Sequence, residues 1–377
     1  MSTLSLRSVM YAAFLACCIS SCSKNATETT AVNVDAAKAG STLRGGGQDP
    51  DGKSLAELFR SKGPQFETYN IDARQGGEIV SKKGTRYRLP PNSLIDASGA
   101  TVYGPVTVSI KEIRDVSNMI LADKPTVTTT GGQLYTYGEF FVRATQGTQD
   151  LRLKKDSAIV VQIQQVKPVG NFREVPMWGG DTTILVSLSG YNFINQYITI
   201  TQQISANRGV EWRQNAGPNN QFALFNSSNG SLSFRLDSLL RWVNCDALYN
   251  GGNPKTTVLG YFTNFFNPAT STSYGGEEPS MLFFKPKNIP SLIKFYNVIF
   301  TPPPGKAGLL SYQNSVPVGQ AGTFLAITAL NGKLYAEQKD VVIPAPATGT
   351  NFVPISFNLV EVTQSDLLSL INSMNSK

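Results

Sequence analysis

The stretch Val106-Thr107-Val108-Ser109-Ile110 decides the fold class, because apolar and polar residues alternate in it with a period of two. Successive side chains of a β-strand point to opposite faces, so this period predicts a strand with one face against a core. Similar runs of β-branched and aromatic residues lie on both sides, at 78–81, 86–89, 138–144 and 158–164. Turn signals rich in glycine separate these runs, for example Lys83-Gly84 and Gln146-Gly147. We therefore predict an all-β fold containing an antiparallel β-sandwich.

Several motifs in this region, in order along the chain, carry a family resemblance: Gly76-Gly77-Glu78-Ile79, Leu89-Pro90-Pro91-Asn92-Ser93-Leu94, Gly104-Pro105-Val106-Thr107-Val108 and Gly138-Glu139-Phe140-Phe141. The stretch from about 66 to 166 resembles the ZU5 fold and is similar to ZU5-like modules of exported Bacteroidetes lipoproteins. The resemblance implies a ZU5-like sandwich at 66–170 with a partner-binding role. Some ZU5 tandems cleave themselves at a His-Phe-Ser site, but this chain has no histidine, so that activity is not carried over.

Residues 171–377 are predicted to form a second β-rich region. Its strands are expected at 191–200, 209–212, 231–236, 256–262, 281–284, 293–300, 316–319, 323–329 and 341–343. We expect Asp237 to cap a short helix through Trp242, Asn331-Gly332 to form a hairpin turn, and Thr363 to Asp366 to cap a short C-terminal helix. A division of this region near 275–305 is left open.

The N-terminus has the features of a lipoprotein signal. Arg7 precedes an apolar run from Val9 to Ile19 that is too short to span a bilayer, and Ser20-Ser21-Cys22 resembles a bacterial lipobox. We predict a signal peptide at 1–21 and a lipidated Cys22, with Cys17, Cys18 or an ordinary secretory signal as alternatives. The protein is then exported and anchored by lipid, with the outer membrane of the cell envelope as the expected location.

Residues 22–52 are mostly small and polar and predict a disordered tether. At its end, Gln48 to Gly52 resembles a fragment of a calcium loop, and we interpret it as a turn because the other acidic ligands are missing. A short amphipathic helix is expected from Ser54 to Arg60, with Ser54 as its N-cap and Glu57 completing a capping box.

Composition narrows the possible chemistry. The chain contains no histidine, which excludes histidine relays and histidine-ligated metals, and only Cys245 remains beyond the signal region. We predict a non-enzymatic protein with no catalytic residue, no metal and no cofactor. The formal net charge of +7 is interpreted as solvated strand faces, for example at Arg86 and Arg88, and nucleic acid is not expected as a partner.

Four local features are candidates for sites. Glu277-Glu278 is interpreted as a solvated loop, and Lys111 to Asp115 as a soluble turn at a strand end. The aromatic segments 134–137 and 261–267 are assigned to core packing, with sugar stacking as the alternative. Cys245 is predicted to be a buried core thiol.

The predicted function is therefore that of a lipid-anchored envelope protein of binding or scaffolding type, whose ligand is unknown. Its partners are the membrane, through the lipid, and a protein or glycan at the cell surface. The alternatives are a glycan-binding surface lipoprotein and, third, a carboxylate-dependent hydrolase.

Overall fold

The computed structural model describes residues 49–167, 173–181, 183–191, 197–205, 211–216, 221–268, 278–295, 297–298, 307–350 and 352–377, with the backbone alone for 181, 183–191, 197–205 and 297–298. This part of the chain consists mostly of β-strands with few helices, so the all-β prediction is confirmed. The helices are α1 (Pro50–Lys62), α2 (Val116–Leu121) and α3 (Gln364–Ser373), the last continued by a 3-10 turn at Met374–Ser376. Among the described helices, none is both long and apolar enough to cross a membrane.

The strands, in chain order, are β1 (Glu67–Asp72), β2 (Gly77–Val80), β3 (Arg86–Leu89), β4 (Leu94–Ile95), β5 (Pro105–Ile113), β6 (Leu134–Gln146), β7 (Gln149–Asp150), β8 (Arg152–Leu153), β9 (Ile159–Ile163), β10 (Glu174–Asp181), β11 (Thr183–Tyr191), β12 (Tyr197–Ser205), β13 (Glu211–Gln214), β14 (Phe222–Asn226), β15 (Ser231–Leu236), β16 (Trp242–Leu248), β17 (Lys255–Phe262), β18 (Ser280–Pro286), β19 (Ile293–Phe295), β20 (Asn297–Val298), β21 (Gly308–Leu310), β22 (Val316–Pro317), β23 (Ala321–Leu330), β24 (Lys333–Val342), β25 (Phe352–Phe357) and β26 (Val360–Val362).

Strand β10 joins the two sheets of a first sandwich. Its residues 177–179 pair with β16 in sheet A, which has the order β1-β5-β6-β16-β10, with β7 on β6 and β13 on β10. Its residues 174–176 pair with β14 in sheet B, which has the order β10-β14-β15-β9-β3-β2. The inward side chains of both sheets form one core, which includes Tyr87, Phe140, Val161, Phe234 and Cys245.

This sandwich extends past the boundary that the sequence predicted at residue 170. Strand β16 pairs with β6 on one side and with β10 on the other, so residues 242–248 lie in the middle of sheet A. Residues from 73 to 245 share its core. The predicted boundary therefore falls inside a sheet and a core that residues on both sides of it build.

A second sandwich follows from β17 onward. Sheet C has the order β20-β21-β17-β22, with β25 running parallel to β17, and sheet D has the order β19-β18-β23-β24-β26. Their facing side chains form a second core that includes Val258, Phe284, Phe324 and Phe357. The β17–β25 pair is parallel, so this second sandwich is not purely antiparallel.

The three helices cover the other face of sheet D, and we call them the helical layer. Leu55 and Phe59 of α1, Met119 and Ile120 of α2, and Leu367 and Ile371 of α3 pack against Met281, Phe283, Leu325 and Ile327 of the sheet. Because α2 connects β5 to β6 of the first sandwich, this apolar layer ties the two sandwiches together.

The start of α1 corrects the prediction for residues 48–54. Asp49, not Ser54, is the N-cap: its Oδ1 accepts hydrogen bonds from the amides of Asp51 (2.9 Å) and Gly52 (3.2 Å). Residues 49–52 are therefore neither a turn nor part of a tether, and the rest of the predicted tether lies outside the described residues. The Asp51 carboxylate also accepts from the amides of Asn331 and Gly332, which fixes α1 to the β23–β24 hairpin.

Of the other local predictions, two are confirmed and two are wrong. The hairpin turn at Asn331-Gly332 is confirmed, with φ of 54° and 75° as a type I′ turn requires. The capping box between Thr363 and Asp366 is confirmed as well. The helix predicted after Asp237 is wrong, because the apolar residues from Trp242 onward enter β16 between β6 and β10. The strand predicted at 191–200 is instead parts of two paired strands, β11 and β12.

Candidate binding cleft

The outer face of sheet A carries two rows of large side chains. Cross-strand register places Lys111, Phe141 and Trp242 side by side on β5, β6 and β16. The next row on the same face contains Glu139, Asn244 and Trp178. Residues between these rows, such as Phe140 and Val243, point to the first core. The outer face is therefore where aromatic and ionisable groups collect.

A cleft of about 220 Å³ lies where this face meets the helical layer. Both sandwiches and α1 contribute to its walls, which include Ala56, Phe59, Arg60, Lys111, Leu121, Asp123, Lys124, Trp242 and Met281. The segment after α2 is held in place from both sides: Trp212 Nε1 donates to the Pro125 carbonyl (2.9 Å), and the Thr126 amide donates to the Leu292 carbonyl (2.9 Å). The position of Lys124 is thereby fixed.

Two lysines give the cleft its charge. Lys124 is buried, with 9% of its surface exposed, and its Nζ lies 5.6 Å from the Trp242 ring centroid. Burial lowers the pKa of Lys124, and the charges of Asp123 and then Glu139 oppose that shift. Lys111 is half-buried, with Nζ 4.4 Å from the Phe66 ring, and burial lowers its pKa too. Both cations are therefore partly stripped of water.

Behind the cleft lies a cluster of buried polar side chains, formed by Thr136, Glu139, Asn244 and Asp246. Asn244 Nδ2 donates to Asp246 Oδ2 (2.5 Å), and Thr136 Oγ1 donates to Asn244 Oδ1 (3.3 Å). Within the described residues, neither carboxylate oxygen of Glu139 has a hydrogen-bond partner. Burial, and then the charge of Asp246, raises the pKa of Glu139, and burial raises the pKa of Asp246 to about 8.

This burial makes stability depend on pH. The folded state keeps a proton on Asp246 that the unfolded chain releases near its ordinary pKa of 3.8, so stability falls as pH rises toward about 8. Asp246→Asn has no carboxyl group at this position to release a proton on unfolding. We therefore expect the free energy of unfolding of this variant to fall less than that of wild type between about pH 5 and about pH 8. Urea unfolding at both pH values measures this. Asp150→Asn, at an exposed ion pair with Arg143, is the control, and equal slopes for Asp246→Asn and wild type would contradict the account.

A buried ion network lies beside the cleft. Lys294 Nζ lies 2.6 Å from Asp123 Oδ1 and 2.6 Å from Glu278 Oε2, and Glu278 is only 3% exposed. The prediction of a solvated Glu277-Glu278 loop is therefore wrong for Glu278, because it neutralises a buried lysine; Glu277 lies outside the described residues.

The charged run Lys111 to Asp115 is not a soluble turn. Glu112 is buried and accepts hydrogen bonds from Tyr87 (2.8 Å) and Thr85 (2.9 Å). Asp115 is the N-cap of α2, its side chain accepting from the Asn118 amide. The run therefore ends a core strand and begins a helix of the layer.

The aromatic segments are packed, as the sequence predicts. Phe262 and Phe266 belong to the second core, and Phe265 stacks on Tyr335 with ring centroids 3.9 Å apart. Tyr135 and Tyr137 are half-buried against each other, with centroids 5.4 Å apart. These side chains do not present a flat exposed surface for a sugar, and the glycan alternative loses the feature that motivated it.

Of the predicted site residues, Cys22 lies outside the described residues. Cys245 is buried as predicted, and burial raises the pKa of its thiol. Across the described part of the chain there is no cluster of three or more His, Cys, Asp or Glu side chains that could hold a metal ion. The sequence does not indicate Lys124 as a site residue, because a lone lysine after a short helix has no local signature of a site.

In comparisons with known proteins, no family model, no curated protein and no solved structure matches this chain. The ZU5 resemblance therefore stays a prediction.

Proposed function

We propose that the protein is an exported, lipid-anchored binding protein without enzymatic activity, attached through Cys22 and binding its ligand in the cleft between the two sandwiches. The observation that carries this proposal is that three parts of the molecule form the walls of the cleft. Phe59 comes from α1, Lys111 and Trp242 from the first sandwich, and Met281 from the second. A concave site between rigid layers, with apolar walls and a few polar groups, is typical of ligand binding.

The groups around the cleft favour binding over hydrolysis. Glycoside hydrolysis uses two carboxylates that face each other across a cleft. Among the described residues lining this cleft, Asp123 is the single acid, and it is ion-paired with Lys294. The sequence also contains no histidine that could act as a general base.

Filling the cleft tests the binding function. In ligand-observed NMR with a library of small fragments, we expect a subset of fragments to bind the purified wild-type protein. Ala56→Trp should abolish their binding, because Ala56 lines the cleft and an indole there occupies its volume. Glu57→Trp places the same side chain on the exposed side of α1 and should leave binding unchanged. Fragments that bind both variants equally would contradict a ligand site in this cleft.

Changing the lipidation site tests the anchor. We expect Cys22→Ala to shift the protein from the membrane fraction to the soluble fraction and to leave an unlipidated precursor, because the acyl chains that hold it at the bilayer are lost. Cys17→Ala and Cys18→Ala are the matched controls and should partition like wild type. Membrane partitioning of Cys22→Ala at the wild-type level would show that the anchor is elsewhere.

A further inference from the structure

We propose that the ligand of the cleft is a small organic anion, whose charged group lies against Lys124 and Lys111 and whose apolar body lies against Trp242 and Phe59. This inference rests on the proposed binding function and adds the chemical class of the ligand. The anionic group is a carboxylate or a phosphate, which present the same charge to a lysine.

The first argument is the incomplete hydrogen bonding of Lys124. An ammonium group has three N–H donors. In the described residues its acceptors are two carbonyls at long distances, Ala122 O at 3.3 Å and Asp123 O at 3.5 Å. Its side chain is buried, and no carboxylate of the described residues lies within ion-pair distance of it. A buried cation in this state is costly, and an anion in the cleft would supply the missing acceptor.

The second argument is the balance of charge around the cleft. Lys111 forms no ion pair within the described residues, and its ammonium faces the ring of Phe66. Asp123, the acid in the lining, already neutralises Lys294 together with Glu278. Arg60 adds a further cation at the exposed rim. Among the side chains that line the cleft, cations therefore outnumber acids, and burial raises the pKa of Glu139 behind them. A ligand of opposite sign would balance this excess of positive charge.

The third argument is the shape and chemistry of the remaining wall. The Trp242 ring, Phe59 and Met281 offer apolar surface in a volume of about 220 Å³. This is below the range of about 300–1,000 Å³ that is usual for pockets holding drug-sized ligands. The wall and volume favour one ring or a short aliphatic chain attached to the anionic group.

Calorimetric titration of the purified protein with benzoate, phenyl phosphate, inorganic phosphate and neutral benzamide tests this inference. We expect benzoate or phenyl phosphate to bind with a Kd in the millimolar range or tighter, and benzamide at least about tenfold more weakly, a difference of about 1.4 kcal/mol. Lys124→Met should weaken binding of the anions at least about tenfold. Lys111→Gln is a second variant at a half-buried site, and it should weaken the same anions if Lys124→Met does not fold. Lys333→Met, at an exposed lysine far along the chain, is the control and should bind like wild type.

The outcomes separate this inference from the proposed function. Benzamide binding as tightly as benzoate would overturn the anionic class while leaving a binding cleft in place. Inorganic phosphate binding as tightly as phenyl phosphate would overturn the role of the apolar wall. Fragment binding that Ala56→Trp abolishes, with no binding of any of the three anions, would overturn the inference and leave the binding function supported. If neither the fragments nor the anions bind, both the binding function and the anionic ligand class would be contradicted.

Discussion

Lys294→Ala is expected to lower the free energy of unfolding by about 3–5 kcal/mol, because it removes the cation from a buried ion network. Lys294 is 1% exposed, and its ammonium lies 2.6 Å from both Asp123 and Glu278. Without it, two carboxylates stay in the interior beside each other without this counter-charge. Urea unfolding followed by circular dichroism measures the loss.

The matched control is Lys333→Ala. Lys333 forms an ion pair with Glu361 at a similar distance, 2.8 Å, but both side chains are more than half exposed. Water screens such a pair, so we expect little change in stability. Similar losses for Lys294→Ala and Lys333→Ala would show that burial of the network does not govern its contribution.

Phe59→Ala is expected to lower the free energy of unfolding by about 3–5 kcal/mol, the usual cost of removing a buried aromatic ring. Phe59 is 3% exposed and packs α1, a helix of the helical layer, against sheet D. It also forms a wall of the cleft, so the same variant should weaken fragment binding. Thermal and denaturant unfolding measure the stability change.

The control for Phe59→Ala is Lys53→Ala, at an exposed position of the same helix. Surface substitutions of this kind have small effects, and alanine keeps the helix propensity. If Phe59→Ala were no more destabilising than Lys53→Ala, α1 would not be docked on the second sandwich as described.

The pattern of neighbouring residues is sufficient to predict an element whose structure those residues determine by themselves. The strands predicted at 86–89 and 231–236 coincide with β3 and β15, because period-two alternation and flanking turns are properties of neighbouring residues. The capping box at Thr363 was predictable for the same reason, since both of its partners lie within one helical turn.

Features that depend on distant residues were not predictable. Asp123 lies 171 positions from Lys294 along the chain, so no local pattern indicates that they form a buried pair. The apolar residues around Trp242 suit a helix or a strand equally, and only pairing with β6 and β10 decides for the strand. The cleft is assembled from residues between 56 and 281, and no local pattern indicates that these segments meet.

The central claim is that a ligand binds between the two sandwiches, against Trp242. The chain has three tryptophans: Trp178 and Trp212 are buried in one cluster, and Trp242 packs against that cluster and also lines the cleft. Fluorine NMR of protein labelled with 5-fluorotryptophan, titrated with benzoate, observes all three at once, and Trp242→Phe assigns the Trp242 resonance. The account predicts that the Trp242 resonance shifts with saturation, and by more than the resonances of the other two. Saturable shifts at Trp178 or Trp212 without a shift at Trp242, or no shift at any of the three, would contradict it.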